Sequence, residues 1–239
     1  MSTEGAPDVA PEQVRTMFDQ IARFYDVLNT VLSGGRDAAW RRRAARETAV
    51  RNGDSALDVC TGTGKLARLL RRRVGPQGRV VGVDFSTAML AIARRHVEGV
   101  DFREGDATRL DGVADGSVDA VTVAFGLRNV IDREAAVRAA FRVLAPGGRF
   151  VILEFARVDV PLFGRVYAWY LTRVLPAIGR ALNPRSGAYT YLPRSIAAYP
   201  RAEVVSGWLR DAGFENVRVL RMTLGIVTLH VATRPAPQR

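Results

Sequence analysis

With 239 residues, the chain is long enough for one large α/β domain and rather short for two. Its composition, with 48% hydrophobic and 25% charged residues, is that of an ordinary globular protein, and no apolar run reaches the ~20 residues that a membrane-spanning helix needs. The formal charge of +11 is compatible with nucleic-acid or anionic-membrane partners, but every lysine or arginine except Lys65 is an arginine, a bias that genome base composition also produces.

The cysteine content and the first residues indicate a reducing compartment. Cys60 has no second cysteine to pair with, so an internal disulfide is excluded. The first residues contain acids and no apolar segment, unlike a secretory signal. We therefore expect a cytoplasmic protein in which residues 1–11 form a disordered tail and residues 12–235 a single domain.

Two helices are predicted before the first strand. From residue 12 onward, apolar residues at helical spacing predict an amphipathic helix that ends near Asn29. A second helix is predicted over residues 37–50 and carries the basic run Arg41-Arg42-Arg43, which we interpret as a solvated face, with a phosphate or lipid contact as the alternative. We expect residues 12–52 to form a helical lid.

A glycine turn follows the first predicted strand. The apolar run at residues 56–60 is followed by Thr61-Gly62-Thr63-Gly64 and then by leucines at helical spacing. Glycines let the backbone bend sharply and approach a ligand closely, and the helix that follows presents free N–H groups. The turn therefore predicts a nucleotide or nucleoside site.

The residues around this turn narrow the kind of site. A P-loop needs Ser or Thr directly after Gly-Lys, and Leu66 stands there instead. The looser dinucleotide fingerprint allows Ala67 as its third small residue. The second predicted strand, residues 79–84, ends in Asp84, 20 residues after Gly64, which is the distance at which a carboxylate accepts hydrogen bonds from ribose hydroxyls.

The remaining elements predict an α/β fold. Alternating strands and helices with short turns indicate a parallel sheet with helices on both faces and ligands at the carboxyl ends of its strands. Two last strands joined by three residues must be antiparallel. A parallel sheet that ends in an antiparallel hairpin favours the Rossmann-like fold of class I S-adenosylmethionine-dependent methyltransferases over that of an NAD dehydrogenase. The further strands are predicted at residues 100–103, 118–124, 149–154, 217–222 and 226–233.

An insertion at residues 157–202 separates the fifth predicted strand from the last helix. From residue 160 to 202 it contains no acid, six arginines and many aromatic residues. We predict that it covers the strand ends over the active site. An ordinary helix packed on the sheet and a contact with a membrane surface or lipid tail both remain open.

Five motifs together carry a family resemblance. They are Phe18-Asp19-x-Ile21-Ala22-x-x-Tyr25-Asp26-x-Leu28-Asn29, Leu57-Asp58-Val59-Cys60-Thr61-Gly62-Thr63-Gly64, Phe125-Gly126-Leu127-Arg128-Asn129-Val130, Arg142-Val143-Leu144-x-Pro146-Gly147-Gly148 with Leu153-Glu154-Phe155, and Tyr191-Leu192-Pro193-x-Ser195-Ile196. They resemble the C-methyltransferases of menaquinone and ubiquinone biosynthesis, over nearly all of residues 14–233. The third and fifth motifs are the most specific, because many methyltransferases share the glycine turn and the Pro-Gly-Gly corner.

The resemblance implies S-adenosylmethionine as cofactor. In the expected site the glycine turn packs against the methionine part of the cofactor. Asp84 holds the ribose, and Asp106 together with the backbone N–H of Ala107 contacts the adenine. Lys65 stands where the family usually has an acid, and Ala124 where relatives often have a serine, which leaves a backbone or van der Waals contact there. The expected cofactor-binding residues are Thr61, Gly62, Thr63, Gly64, Asp84, Asp106, Ala107 and Ala124.

The resemblance also implies the acceptor, a prenylated quinol, most simply demethylmenaquinol that is converted to menaquinol. Arg128 and Asn129 are the expected catalytic residues, which stabilise the ring oxyanion or position a water that takes the proton. Arg128 is also expected to contact the substrate; because a guanidinium does not readily lose its proton, its role is electrostatic. Tyr25 is expected to close over the ring. We predict no metal.

Three alternatives stay open at this point. The acceptor ring is a naphthoquinol or a benzoquinol, or the chain is a paralogue that methylates another aromatic or polyketide acceptor. A basic RNA- or membrane-binding protein is the distant alternative, although we expect no nucleic-acid partner because the aromatic and basic strand pattern of common RNA folds is absent. A homodimer and a peripheral contact with the anionic inner face of a membrane are left open. We expect His96 to be solvated, His230 to make a structural hydrogen bond, and Cys60 to pack.

Overall fold

The computed structural model describes residues 33–158, 160–174 and 188–236, with six single positions before them: Glu12, Arg15, Thr16, Asp19, Ala22 and Thr30. The predicted tail at residues 1–11 and most of the predicted first helix, including Tyr25, lie outside the described residues.

Seven strands form one sheet in the order β3-β2-β1-β4-β5-β7-β6. The first five strands are parallel, and β7 runs antiparallel to both β5 and β6. The predicted parallel sheet with a C-terminal antiparallel hairpin is thus confirmed. The strands are β1 Ser55–Val59, β2 Arg79–Asp84, β3 Asp101–Glu104, β4 Val118–Ala124, β5 Leu144–Phe155, β6 Glu215–Met222 and β7 Val227–Thr233.

The described helices follow the strands as predicted. Ser86 begins the helix after β2 by accepting a hydrogen bond from the backbone N–H of Met89, and Asp132 does the same for Ala135 after β4. A 3₁₀ turn, Leu127–Asn129, lies between β4 and its helix. The helices are α1 Asp37–Glu47, α2 Lys65–Val74, α3 Thr87–His96, α4 Arg133–Val143, α5 Pro161–Trp169, α6 Ala188–Ala198 and α7 Ala202–Asp211.

Two apolar layers hold the helices on the two faces of the sheet. Alternate residues of β4 divide between them, with Ala120 and Ala124 in one layer and Val121 and Val123 in the other. The first layer includes apolar residues of α1, α2, α3, α5 and α6, and the second includes those of α4 and α7. The insertion therefore packs on the same face as α1, which contributes Trp40 to that layer.

The start of β5 differs from the sequence prediction. Leu144 already pairs with Val118, and regular pairing resumes at Arg149 after an irregularity in the register. The Pro-Gly-Gly corner thus lies inside the strand bounds as a bulge, with Gly147 at a φ of +80° that glycine adopts readily.

The basic run of α1 also differs from its prediction as a solvated face. Arg42 and Arg43 are exposed, but Arg41 is only 6% exposed. Its guanidinium lies over the ring of Phe125 at 4.9 Å from the ring centre, where a cation is attracted by the aromatic face. A helical repeat of arginines does not reveal which of them meets an aromatic ring from another element.

Most of the large exposed apolar side chains lie at one edge of the sheet. Ile131 follows β4, Val160 follows β5, Trp169 ends α5, and Leu224 lies in the β6–β7 turn. Ile131, Val160 and Leu224 therefore lie on segments that leave or join strands at the carboxyl-end edge of the parallel strands, and Trp169 lies at the end of the helix that follows Val160. Within the described residues, no helix is long and apolar enough to span a membrane.

Candidate active site

A cavity of about 580 Å³ opens at the carboxyl ends of β1 to β4, which is where ligands bind in open α/β sheets. The predicted residues Gly62, Asp84, Asp106, Ala107 and Asn129 all line it. The other predicted residues, Thr61, Thr63, Gly64, Ala124 and Arg128, lie in the adjoining segments and do not line the cavity.

Asp84 links the ends of β1 and β2. Its Oδ2 accepts a hydrogen bond of 2.7 Å from the backbone N–H of Gly62, and its Oδ1 accepts one of 2.9 Å from that of Ser86. Burial raises the pKa of Asp84 from its ordinary 3.8 to about 6, and these backbone donors oppose the rise. Each carboxylate oxygen has a further lone pair, so the side chain can also accept hydrogen bonds from a ligand in the cavity.

Asp58 was not predicted as a site residue, yet it holds the glycine turn. The hydroxyl of Thr61 donates to its Oδ2 at 2.7 Å, and that of Thr122 on β4 donates to its Oδ1 at 2.6 Å. The carboxyl is fully buried, and that burial raises its pKa. The sequence signal for Asp58 as a site residue is that it is an acid inside the otherwise apolar strand β1.

The ends of β1 and β4 approach each other closely. Cys60 and Phe125, directly after these strands, have φ values of +53° and +61°, a region that side chains other than glycine rarely adopt. A Cβ on Gly126 would lie 2.3 Å from the Cβ of Cys60, so only glycine fits there without a shift. The two strained residues and this glycine bring the β1 and β4 ends to the same wall of the cavity.

Asp106 has a structural role besides the predicted one. Its Oδ1 accepts hydrogen bonds of 2.8 Å from both the backbone N–H and the hydroxyl of Thr108, and so it stabilises the turn after β3. The side chain is exposed and lies on the cavity wall beside Ala107.

Arg128 lies behind the cavity wall in a buried ion pair. Its Nη1 donates to Glu154 Oε1 at 2.7 Å and to the carbonyl oxygen of Phe125 at 2.6 Å. Glu154 is fully buried on β5 and also accepts from the backbone N–H of Arg128. The arginine therefore fixes the segment after β4 and does not itself line the cavity.

Asn129 is the neighbour that reaches the cavity. Its Oδ1 accepts a hydrogen bond of 3.0 Å from the hydroxyl of Tyr191 on α6, and its backbone N–H donates to the carbonyl of Gly126. Tyr191 belongs to the insertion, and burial raises the pKa of its phenol. The insertion thus contacts the cavity wall.

Comparison with known proteins identifies the family. The sequence pattern of the ubiE/COQ5 methyltransferase family matches residues 7–234. The chain belongs to this family. The methyltransferase is 47% identical over 223 residues to a demethylmenaquinone methyltransferase of Thermus thermophilus, and the alignment covers 92% of this chain and 100% of the Thermus chain. It is 40% identical over 230 residues to a ubiquinone/menaquinone biosynthesis C-methyltransferase of Ectopseudomonas mendocina, with 94% and 90% of the two chains covered.

Solved structures share the fold of this methyltransferase. A possible histamine N-methyltransferase from Thermotoga maritima matches with a TM-score of 0.63 at 20% identity, over 92% of this chain and 98% of that one. An Aquifex aeolicus methyltransferase matches with a TM-score of 0.62 at 18% identity, over 87% and 97%. The predicted family, fold class and S-adenosylmethionine-dependent enzyme type are confirmed.

The cavity of the methyltransferase suits its cofactor. S-Adenosylmethionine carries a sulfonium cation, ribose hydroxyls and an adenine amino group, and a carboxylate attracts or accepts from each of these. In a chain of net charge +11, the described residues that line the cavity include four carboxylates and one guanidinium, that of Arg15. Arg15 is itself paired with one of them at 2.7 Å. The carboxylates are those of Asp84, Glu104, Asp106 and Asp132.

Four further sequence predictions concern residues near the methyltransferase site. His230 is fully buried and hydrogen-bonds the carbonyl of Ala202 through Nε2, whereas His96 is exposed, as expected of each. Cys60 lines the cavity, and burial raises the pKa of its thiol, which opposes a nucleophilic role. The ammonium of Lys65, which replaces the usual acid, lies 3.7 Å from Asp37 Oδ2.

Proposed function

We propose that this methyltransferase converts a demethylated prenylated quinol, demethylmenaquinol, to its C-methyl form, menaquinol. The observation that carries the proposal is the Asn129 amide in the cavity, with the buried Arg128–Glu154 pair directly behind it. The demethylmenaquinone methyltransferases of Thermus thermophilus and Deinococcus radiodurans, 47% and 43% identical, support the choice of acceptor.

The β1 to β3 side of the cavity holds the cofactor. Asp84 accepts from the ribose, Asp106 accepts from the adenine amino group, and the backbone N–H of Ala107 donates to the adenine ring. The turn from Thr61 to Gly64 packs against the methionine part, whose carboxylate suits the start of α2. When bound, S-adenosylmethionine supplies an electrophilic methyl group.

The β4 side of the cavity acts on the acceptor. The ring carbon becomes nucleophilic when a water takes the proton of a neighbouring hydroxyl, so the enzyme must stabilise a ring oxyanion. After the carbon has accepted the methyl group it loses its own proton to solvent, and reprotonation of the ring oxygen restores the quinol. The Asn129 amide lines the β4 side of the cavity and would donate to that oxygen, while Arg128, paired with Glu154, holds the segment that carries Asn129. Preorganised donors of this kind contribute a large part of catalysis in a site from which water is excluded.

Methyl transfer from labelled S-adenosylmethionine to short-chain demethylmenaquinol, and in parallel to a demethylated ubiquinol precursor, tests the proposal. Both acceptors are kept reduced. We expect product from the naphthoquinol. Product from the benzoquinol alone would contradict the menaquinone assignment, and product from neither, with cofactor binding intact, would favour a paralogue with another acceptor.

We also propose that the enzyme works at an anionic membrane surface, because a prenylated quinol resides in the bilayer. The exposed apolar residue Ile131 lines the cavity, Val160 and Leu224 lie on segments at the same edge of the sheet, and Trp169 ends the helix that follows Val160. Trp169 is 60% exposed, and the exposed Arg165 precedes it by one helical turn. Exposed aromatic and basic side chains together favour the interface of an anionic bilayer.

A further inference from the structure

Asn129 and Tyr191 form a hydrogen bond between segments that are distant in sequence. Asn129 ends the 3₁₀ turn after β4, and Tyr191 lies on α6 in the insertion. The Tyr191 hydroxyl donates to Asn129 Oδ1 at 3.0 Å, and both side chains are half-buried. The bond therefore connects the cover of the site to its wall.

The hydrogen bond from Tyr191 determines which way the Asn129 amide is turned. An amide oxygen only accepts hydrogen bonds, whereas an amide nitrogen only donates them. Without a fixed partner, the side chain of an asparagine can turn about its last bond and exchange the two groups. Because a phenol proton is directed at Oδ1, the Nδ2 group must lie on the other side of the amide, away from Tyr191.

We propose that Tyr191 is a positioning residue that holds the Asn129 amide with its N–H donors facing the acceptor ring oxygen. The proposal rests on the proposed function, since it assigns the acceptor's oxyanion as the group that these donors meet. Asn129 is then the residue that touches the substrate, and Arg128 supports it from behind through its pair with Glu154.

The surroundings of Tyr191 agree with a donor role. Burial raises the pKa of its phenol, which therefore stays protonated at neutral pH, although the nearby charges of Arg128 and Arg133 oppose the rise. Tyr199, close by in the chain, provides a contrast. It is fully buried, and its hydroxyl has no hydrogen-bond partner among the described residues. The Tyr191 hydroxyl thus donates a hydrogen bond to the cavity wall, whereas the Tyr199 hydroxyl makes none with the described residues.

Three variants test the proposal with reduced short-chain demethylmenaquinol. Tyr191→Phe should lower kcat by about tenfold or more, because removal of an oxyanion donor altogether costs about 10²–10³-fold. The KM for the acceptor and the affinity for S-adenosylmethionine should change by less than about twofold. Tyr199→Phe, the matched control, should leave kcat unchanged. Wild-type kcat in Tyr191→Phe would overturn the proposal.

Asn129→Asp distinguishes a donor from an acceptor. The carboxylate keeps an oxygen for the Tyr191 hydroxyl but has no N–H group. We expect it to lose about 10²-fold in kcat, and Tyr191→Phe should cost little more in that background. Activity at or above that of the wild type would show that the side chain accepts a proton from the ring, which would overturn the donor role.

A readout that does not depend on turnover separates this proposal from the proposed function. The two side-chain amide protons of Asn129 can be assigned in an NMR spectrum by their absence from Asn129→Asp. They should shift in Tyr191→Phe and stay unchanged in Tyr199→Phe. If the wild-type enzyme methylates neither quinol, the proposed function fails, and unchanged amide signals in Tyr191→Phe would reject the orientation by Tyr191 itself.

Discussion

At the scale of single residues, the protonation of Asp84 makes both cofactor binding and stability depend on pH. Its carboxylate accepts hydrogen bonds from two backbone N–H groups but is buried, and burial raises its pKa to about 6. The folded protein therefore binds a proton more tightly than the unfolded chain, and this stabilisation is lost as the pH rises from about 4 through about 6. The site maintains a charged acid at neutral pH at the expense of stability.

We predict that affinity for S-adenosylmethionine falls as the pH is lowered through about 6, by about tenfold per pH unit below that value, because the cofactor must then compete with a proton. Calorimetric titration between pH 5 and 7 measures the slope. Asp106→Asn should keep this slope, since its oxygen can still accept from Thr108. An affinity that does not change down to pH 5 would contradict the role of Asp84 in binding.

At the scale of structural elements, the contact between the β1 and β4 ends determines the shape of the cavity. Cys60 adopts a positive φ at the end of β1, and its Cβ leaves no room for a Cβ on Gly126 after β4. Neither strand end can move without displacing the other. The contact thus sets the distance between the cofactor side and the acceptor side of the site.

Gly126→Ala should destabilise the fold by about 1–3 kcal/mol and weaken cofactor binding, because the new Cβ overpacks the contact with Cys60. Adding Cys60→Gly should restore both properties, since glycine removes the clashing Cβ and adopts the positive φ without strain. Thermal unfolding and cofactor titration measure the two effects. Gly207→Ala on α7, where a Cβ meets nothing within 4 Å, is the control: it should leave cofactor binding unchanged and should not destabilise the fold, because alanine favours a helix over glycine by about 0.5–1 kcal/mol. Failure of the double variant to recover would show that the contact is not the cause.

At the scale of the whole molecule, charge is distributed unevenly. The cavity is lined by carboxylates, whereas the insertion carries exposed arginines such as Arg165, Arg173 and Arg194. One edge of the protein thus combines an acidic opening for a cationic cofactor with a basic and apolar rim. This arrangement underlies the proposed contact with an anionic bilayer.

We predict that the enzyme sediments with phosphatidylcholine vesicles that contain phosphatidylglycerol and much less with phosphatidylcholine alone. Trp169→Ala and Arg165→Glu should each weaken the association, because both side chains are exposed on the same face of α5. Val204→Ala, which removes an exposed apolar side chain from α7, should not. Equal sedimentation with both vesicles, or no effect of either substitution in the insertion, would argue against the proposed surface.

The sequence was sufficient for the order of the elements but not for the side-chain pairs between them. Strands and helices could be predicted because apolar runs, caps and Gly or Pro breakers are local signals. The burial of Arg41 and the pairs Arg128–Glu154 and Asn129–Tyr191 join residues from different elements. Their contacts depend on the strand order and on the path of the insertion, neither of which local spacing reveals.

The strand order also divides the cavity along the chain. Apart from Arg15, the described residues that line the cavity after β1 to β3 lie between residues 60 and 108, and those after β4, with the insertion residue that contacts them, lie between residues 125 and 191. In the proposed roles, the methyl donor is bound mainly by one continuous stretch of the gene and the acceptor mainly by the next. Evolution can then exchange the acceptor-binding stretch for another while it inherits the donor-binding stretch unchanged, so one ancestral enzyme can give rise to many with different substrates.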